Sequence, residues 1–411
     1  KQERRDLAAE SGILERKRFL LSSSPELKER LRKLQDIVYE MKKEHPEVIS
    51  LGLYGSFTKG YATPESDFDA NFNIDEDSLN KNGASIAPPA MLDELKNADL
   101  VFGNLETPIT QGSEIPDFEM IFRSNPGTEK ALKQAGFSIL SLANNHTPNF
   151  GEKGLKDTFD YLKNVGIEYV GAGQNEQEAN QPVYIEQKGI KFAFLAYNDT
   201  DVVPALYEAG ENRTGTAFMR IEKMSEAVKE AKQKANFVVV SMHAGIEYTD
   251  KPNESQINFA HAAIDAGADL IIGHHPHVVQ TLEKYKGRYI FYSLGNFVFD
   301  QPQSQETKEG LAIKVYFTKY GINKISLLPV VMENLAQPKV ANKGEAEKIL
   351  QRLKFSLAGQ NIYSWNSNNN NFEKGSRGII YTENLKKGDV FSYFWVRVAL
   401  VQCEYLLDLS R

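Results

Sequence analysis

The chain has 411 residues, of which 41% are hydrophobic, and its formal net charge is −7. This length and apolar content are enough for two or three domains with a sizeable core, whereas the negative charge argues against a general nucleic-acid-binding surface. A single cysteine, Cys403, excludes an intrachain disulfide, and no apolar run approaches the roughly 20 residues of a membrane-spanning helix.

The first predicted unit, residues 1–82, joins a helical segment to a short β-turn-α pattern. A turn at Gly55 and Ser56 precedes Asp67 and Asp69 on a strand. The turn's backbone can hold triphosphate oxygens, and aspartates two positions apart on one strand face can share Mg²⁺. This spacing resembles the polymerase-β type nucleotidyltransferases, which implies nucleotide binding at these four residues. That fold also needs more strands and a third carboxylate, so we expect no nucleotidyl transfer here.

Four apolar runs rich in β-formers each end in polar residues of the kinds that bind metals. They cover residues 98–106, 137–146, 237–243 and 268–273, and the last run leads directly into His274, His275 and His277. Neutral imidazoles on a short turn are good ligands for transition metals. We therefore expect a metal site where these strands end.

Helical patterns separate the predicted strands. Leu155, Phe159 and Leu162 recur at helical spacing, and a run of alanines (Ala227, Ala231 and Ala235) precedes the strand at Phe237. Alternation of strands and helices predicts an α/β fold with a largely parallel sheet, and such sheets bind ligands beyond the carboxyl ends of their strands.

Six short motifs follow one another along the chain, at residues 103–106, 122–126, 143–146, 243–248, 273–277 and 292–300. In sequence and in order they resemble the motifs of the CapA family of capsule and poly-γ-glutamate synthesis proteins, a branch of the calcineurin-like metallophosphoesterases. The resemblance implies a metallophosphoesterase-like sandwich of two sheets flanked by helices over residues 85–358, with small additional segments at both ends.

The resemblance also implies roles for individual residues. It implies that His146 and Asn144 take part in catalysis, with His146 donating a proton to the leaving group. It implies that Asn104, Glu247 and His274 support the ligands. Which two of the three clustered histidines bind the metal, and which one supports them, stays open. The expected ions are Mn²⁺, Zn²⁺ or Fe, with Mg²⁺ as the ion for Asp67 and Asp69. The implied metal ligands are Glu106, Asn145, His243, His275 and His277.

One departure from the family concerns the first metal ligand. The family opens with a strand that ends in Gly-Asp, and nothing like it precedes Ala98. Without that carboxylate we expect weak hydrolysis, because a two-metal clamp loses part of its charge neutralisation. Asp67 or Asp69 is the alternative source of the missing carboxylate.

The carboxyl-terminal part changes in character. Residues 359–374 include the polar run 364–371 and are predicted to be a linker. Residues 375–411 begin with a stretch similar to the SAF domain, although the sequence from Phe394 to Cys403 departs from that family. The alternative interpretation is an ordinary hairpin followed by a helix.

The resemblance to the CapA family implies a protein of capsule or poly-γ-glutamate synthesis or export, with a metal-dependent hydrolase site. Its expected partners are an anionic polymer or a phosphoester substrate and capsule-synthesis membrane proteins, but not nucleic acid. The alternatives are a non-catalytic polymer- or partner-binding protein and a nucleotidyltransferase. The amino terminus lacks an apolar signal core. The sequence as written is therefore expected to be soluble and cytoplasmic, or extracellular if an anchor has been removed.

Overall fold

A computed structural model describes residues 48–54, 69–74, 89–112, 122–299, 301, 303–333, 337–353, 378–381 and 396–403. The chain divides into two compact units, one formed by residues 1–84, 116–125 and 407–411 and the other by residues 85–115 and 126–406. In the first unit, β1 (Val48–Tyr54) and β2 (Asp69–Ile74) form an antiparallel pair. None of the helices in the described ranges is long and apolar enough to cross a bilayer.

The second unit contains strands and helices in alternation through most of its length. Its helices are α1 (Pro89–Lys96), α2 (Thr128–Ala135), α3 (Gly151–Asn164), α4 (Glu176–Asn180), α5 (Ile221–Lys234), α6 (Glu254–Ala266) and α7 (Lys343–Arg352). Its strands are β3 (Leu100–Leu105), β4 (Ile139–Ser141), β5 (Glu168–Val170), β6 (Ala172–Gly173), β7 (Val183–Gln187), β8 (Ile190–Asn198), β9 (Gly215–Thr216), β10 (Phe237–His243), β11 (Leu270–His274), β12 (Leu282–Tyr285), β13 (Arg288–Phe291), β14 (Glu309–Thr318), β15 (Gly321–Glu333), β16 (Gln337–Val340), β17 (Gly378–Tyr381) and β18 (Val396–Cys403).

Two large sheets organise this unit. The six-stranded sheet has the order β12-β13-β11-β10-β8-β7, and β13, β11, β10 and β8 run parallel. The eight-stranded sheet has the order β16-β15-β14-β18-β3-β4-β5, with β17 paired to β15, and β18, β3, β4 and β5 run parallel. Strands β6 and β9 form a separate antiparallel pair.

The core residues form three layers that show how the sheets pack. The inner layer joins alternate residues of both sheets, and the rings of Phe102 on β3 and Phe194 on β8 stack across it at 5.7 Å. Helices α1, α2 and α3 cover the outer face of the eight-stranded sheet, and α5 and α6 cover that of the six-stranded sheet. The predicted sandwich of two sheets flanked by helices is therefore confirmed.

The carboxyl-terminal strands join the eight-stranded sheet. The residues from Val396 to Cys403, for which a hairpin and helix were one interpretation, form a strand between β14 and β3. Their run of β-branched and apolar residues suits a position with a strand on each side. The predicted linker at 359–374 lies outside the described residues.

The inner layer offers a direct test of the sandwich. Phe102 is fully buried, so Phe102→Ala removes packing from both sheets and should lower the free energy of unfolding by about 3–5 kcal/mol. Urea denaturation measures this loss. Tyr320→Ala is the control, because Tyr320 is 88% exposed and its removal should change stability by less than about 0.5 kcal/mol. Equal effects of the two substitutions would contradict the packing described here.

Candidate metal centre

The inner faces of the parallel strands change from apolar to polar toward their carboxyl ends. On β3 the inward positions run from Leu100 and Phe102, which lie in the inner layer, to Asn104. Successive side chains of a strand point to opposite faces, so every second residue shares a face. The same alternation, continued just beyond β3 and β4 and along the other parallel strands, brings polar residues to one edge of the sandwich, namely Glu106, Ser141, Asn145, Asn198, Ser241, His243 and His274.

Three of the predicted ligands converge at this edge. Glu106, His243 and His275 are buried, and each offers one ligand atom within 4.8 Å of the others. The Glu106 Oε1 lies 3.5 Å from the His243 Nε2, and the Asn145 Oδ1 lies 2.8 Å from the same nitrogen. The imidazoles of His243 and His275 are 4.9 Å apart between ring centroids. This group of donors could hold a metal ion.

The electrostatics of the two histidines suit a metal. Burial is the main reason that the pKa of His243 lies well below its usual value, and the neighbouring histidines, His275 first, add to the effect. Burial likewise lowers the pKa of His275, with contributions from His277 and His146. Both rings are therefore neutral near pH 7 and keep a lone pair for a cation. Within the described part of the chain, the Nδ1 atoms of both rings have no hydrogen-bond partner.

The turn after β11 is tightly constrained. A Cβ atom at Gly273 would lie 1.9 Å from the carbonyl oxygen of Tyr292, so only glycine permits this close approach. His275 and His277 then adopt positive φ angles of 103° and 60°. Such backbone conformations are costly for residues with a Cβ and are often found at functional sites.

His277 lies in the same turn, but its contacts differ from those of the converging group. Its Nδ1 lies 3.2 Å from the Asn296 Oδ1, and its Nε2 lies 3.9 Å from the Glu247 Oε1. The rings of Tyr248 and Phe299 stack against it, at 5.8 Å and 5.2 Å. The structure thus places His277 beside the three donors, and its role as a metal ligand stays a prediction.

A network of asparagines supports the carboxylate. The Asn104 Nδ2 donates to the Glu106 Oε2 at 3.0 Å, and the Asn104 Oδ1 accepts from the Asn144 Nδ2 at 3.1 Å. Asn144 also donates to the Leu105 carbonyl oxygen, and its Oδ1 accepts from the backbone of His146 and from Thr147. Asn104 thus holds the Glu106 carboxylate, and its supporting role beside a bound metal stays a prediction. The side chain of Asn144 instead holds the backbone at Leu105, His146 and Thr147. Among the described residues, the structure shows no contact of the Asn144 side chain that bears on its predicted part in catalysis.

His146 is held by Asn149, a residue that no sequence pattern singles out. Its Nδ1 lies 2.9 Å from the Asn149 Oδ1, while the Asn149 Nδ2 faces the Asn145 carbonyl oxygen at 3.5 Å. An oxygen facing Nδ1 assigns the proton to Nδ1 and a lone pair to Nε2. Burial lowers the pKa of His146 to about 3, the contact with Asn149 opposes this, and His277 adds to it. The ring of His146 is therefore neutral near pH 7, and its role as the proton donor to the leaving group stays a prediction.

Two further histidines and the residues of the predicted nucleotide-binding segment are placed as follows. His274 is fully buried and pairs with His243 in the register of β10 and β11. His261, a histidine outside the site, contacts the Glu283 carboxylate at 2.9 Å. Gly55, Ser56 and Asp67 lie outside the described residues, and Asp69 is the first residue of β2.

Sequence reasoning missed Asn149, Asn198, Ser241 and Asn296. For Asn198 and Ser241 a signal existed, because both continue the alternation of inward positions on β8 and β10. Asn149 lies in a short 3-10 helix (Thr147–Phe150) and Asn296 in a loop, and neither segment is long enough for a periodic pattern to indicate which side chains face the site.

The chain is similar in sequence to bacterial capsule synthesis proteins. The model of the bacterial capsule synthesis protein family PGA_cap matches residues 69–301. Capsule biosynthesis protein CapA of Bacillus anthracis is 36% identical over 267 residues, which is 63% of this chain and 64% of that protein. PGA biosynthesis protein CapA of Bacillus subtilis strain 168 is 34% identical over 271 residues, 65% of this chain and 70% of that protein. The chain thus spans about two thirds of the length of these relatives.

Solved structures show only distant likeness. The calcineurin-like phosphoesterase YfkN from Bacillus subtilis is 16% identical with a TM-score of 0.32, covering 52% of this chain and 64% of that one. A hypothetical protein from Thermus thermophilus is 16% identical with a TM-score of 0.35, covering 64% of this chain and 92% of that one. The family assignment rests instead on the sequence: this chain belongs to the bacterial capsule synthesis protein family PGA_cap.

Proposed function

We propose that this chain is a CapA-like protein of poly-γ-glutamate capsule synthesis or export that works through a divalent metal centre. The observation that carries the proposal is the convergence of Glu106, His243 and His275, whose donor atoms lie within 4.8 Å of one another in a buried position. Membership of the capsule synthesis family supports the polymer as the class of substrate.

The donor set favours a transition metal over Ca²⁺ or Mg²⁺. Two neutral imidazoles and one carboxylate, with the Asn145 oxygen adjacent, suit Mn²⁺, Zn²⁺ or Fe, because harder cations prefer oxygen ligands alone. When bound, such an ion would act as a Lewis acid on a substrate oxygen. Capsule-synthesis membrane proteins are the partners we propose for the chain.

The chain's own residues would set the chemistry around that ion. Glu106 supplies negative charge within the donor group, and the hydrogen bond from Asn104 fixes its direction. The neutral His146 presents its Nε2 lone pair, since Asn149 holds its Nδ1. A positive ion would also offset repulsion between a polyanion and a protein of net charge −7.

An assay that separates cleavage from binding tests this proposal. The purified chain, with Mn²⁺ or Zn²⁺, is incubated with poly-γ-glutamate and with a chromogenic phosphodiester, and polymer length, dye release and polymer binding are measured. We expect weak but metal-dependent turnover, which Glu106→Gln should reduce on the order of 10²–10³-fold because a preorganised charge is lost.

The outcomes distinguish the alternatives. Polymer binding without cleavage of either substrate would favour a non-catalytic polymer-binding protein. Phosphodiester cleavage without any effect on the polymer would favour a phosphoester substrate. A chain that neither binds nor cleaves either substrate would contradict the proposal.

A further inference from the structure

Asn198 is a buried polar residue that the metal centre described above does not use. It ends β8, is fully buried, and continues the inward face formed by Phe192, Phe194 and Ala196. Neither its Nδ2 nor its Oδ1 has a hydrogen-bond partner in the described part of the chain. Leaving a buried amide unsatisfied costs about 1–3 kcal/mol for each group, so its position calls for a partner.

The backbone of Asn198 is fixed on both sides. Its N–H donates to the carbonyl oxygen of Ala217 at 2.9 Å, and its carbonyl oxygen accepts from the N–H of Met219 at 2.9 Å. The next residue, Asp199, donates its N–H to the carbonyl oxygen of His243 at 2.9 Å. The end of β8 is therefore tied to the end of β10, whereas the side chain of Asn198 has no hydrogen-bond partner in the described part of the chain.

The neighbour of Asn198 across the sheet is His243. The two residues are paired in the parallel register of β8 and β10 and share the inner face. Neighbouring strands lie about 4.8 Å apart, which places an amide and an imidazole on one face within reach of each other by side-chain rotation. The Nε2 of His243 faces Glu106 and Asn145, and its Nδ1 has no partner among the described residues.

We propose that Asn198 is a positioning residue for the metal centre: its amide oxygen accepts the Nδ1 proton of His243 when Nε2 binds the ion. A histidine that ligates through one nitrogen usually donates its other N–H to an oxygen, which fixes the tautomer and the direction of the ring. Asn198 offers such an oxygen on the adjacent strand. This inference rests on the metal centre proposed above.

Two variants separate this role from simple packing. Asn198→Leu keeps a similar volume and removes the acceptor, and it should weaken binding of Co²⁺ and Mn²⁺ by about 10–100-fold. Asn198→Asp keeps an acceptor oxygen and should hold affinity within about threefold of the unmodified protein. Titration calorimetry gives the affinities, the visible spectrum of bound Co²⁺ reports the ligand geometry, and thermal denaturation with chelator reports the stability of each metal-free variant.

The results distinguish failure of this inference from failure of the metal centre. If the unmodified protein binds no Co²⁺ or Mn²⁺, the proposed function fails first. If it binds these ions and Asn198→Leu binds them equally well, or if Asp and Leu weaken binding alike, the role of Asn198 is overturned. Should Asn198→Leu not fold, a crystal structure of the unmodified protein with Zn²⁺ decides. An Asn198 oxygen within about 3.2 Å of the His243 Nδ1 is expected there, and a longer separation contradicts the proposal.

Discussion

Replacing His243 with alanine should lower the metal affinity of the protein by more than about 100-fold. Loss of a supporting residue beside a ligand already costs about 10–100-fold, and removal of a ligand should exceed that. His243 lies at the centre of the donor group, since its Nε2 faces both Glu106 and Asn145. The substitution leaves the Glu106 carboxylate, the Asn145 oxygen and the His275 imidazole, so the donor group loses one of its two imidazoles and should hold an ion much less tightly.

Metal analysis after gel filtration, together with titration of Mn²⁺ and Zn²⁺, measures this effect. His261→Ala is a matched control, because His261 contacts Glu283 outside the converging donors and should leave metal content unchanged. Glu106→Gln preserves the shape of the side chain but removes its charge, so it should also lose affinity. Equal metal content in His243→Ala and the unmodified protein would show that the ion, if any, binds elsewhere.

The free energy of unfolding of the metal-free protein should fall steeply as the pH is lowered below about 6.5. Burial lowers the pKa of His146 to about 3 and holds the pKa values of His243 and His275 well below their ordinary value of 6.5. The unfolded chain therefore binds protons at these residues below pH 6.5 while the folded chain does not. The contribution of these histidines to the free energy of unfolding is fully present above pH 6.5. It is lost as the pH falls from 6.5 toward their pKa values in the folded protein.

Each such histidine contributes a slope of about 1.4 kcal/mol per pH unit, so three give a limit of about 4 kcal/mol per pH unit. Urea denaturation in chelator between pH 7.5 and 5 measures this slope above the range in which most carboxylates titrate. His146→Gln removes one of the three groups and should reduce the slope by about 1.4 kcal/mol per pH unit. A stability that stays constant from pH 6.5 to 5 would contradict the buried, neutral state of these rings.

The sequence predicted the parts of the site that lie at the ends of regular elements. The apolar runs before Glu106, His243 and His274 form β3, β10 and β11 as expected. A short run of β-formers that ends in polar residues strongly favours a buried strand over other secondary structure. The periodic pattern at Leu155, Phe159 and Leu162 likewise forms α3.

Other features depended on tertiary context. Asn149 contacts His146 from a single turn of 3-10 helix, and Asn296 contacts His277 from a loop. Such short or irregular segments carry no periodic spacing from which the direction of a side chain could be predicted. The position of β18 could not be predicted either, because its partners β14 and β3 are distant in sequence. Strand pairing over such distances is set by the whole sheet rather than by local propensity.

The central position of β18 has a consequence for the order of folding. Val398 of β18 pairs with Leu100 of β3, so these neighbours in the sheet leave the ribosome roughly 300 residues apart. Until β18 is synthesised, β14 and β3 each lack the strand with which they pair. Each then has an edge of unpaired backbone groups that can pair with another chain. Contacts of such long range close slowly. The eight-stranded sheet therefore cannot be complete before β18 has been synthesised, and until then the unpaired backbone of β14 and β3 exposes the chain to aggregation.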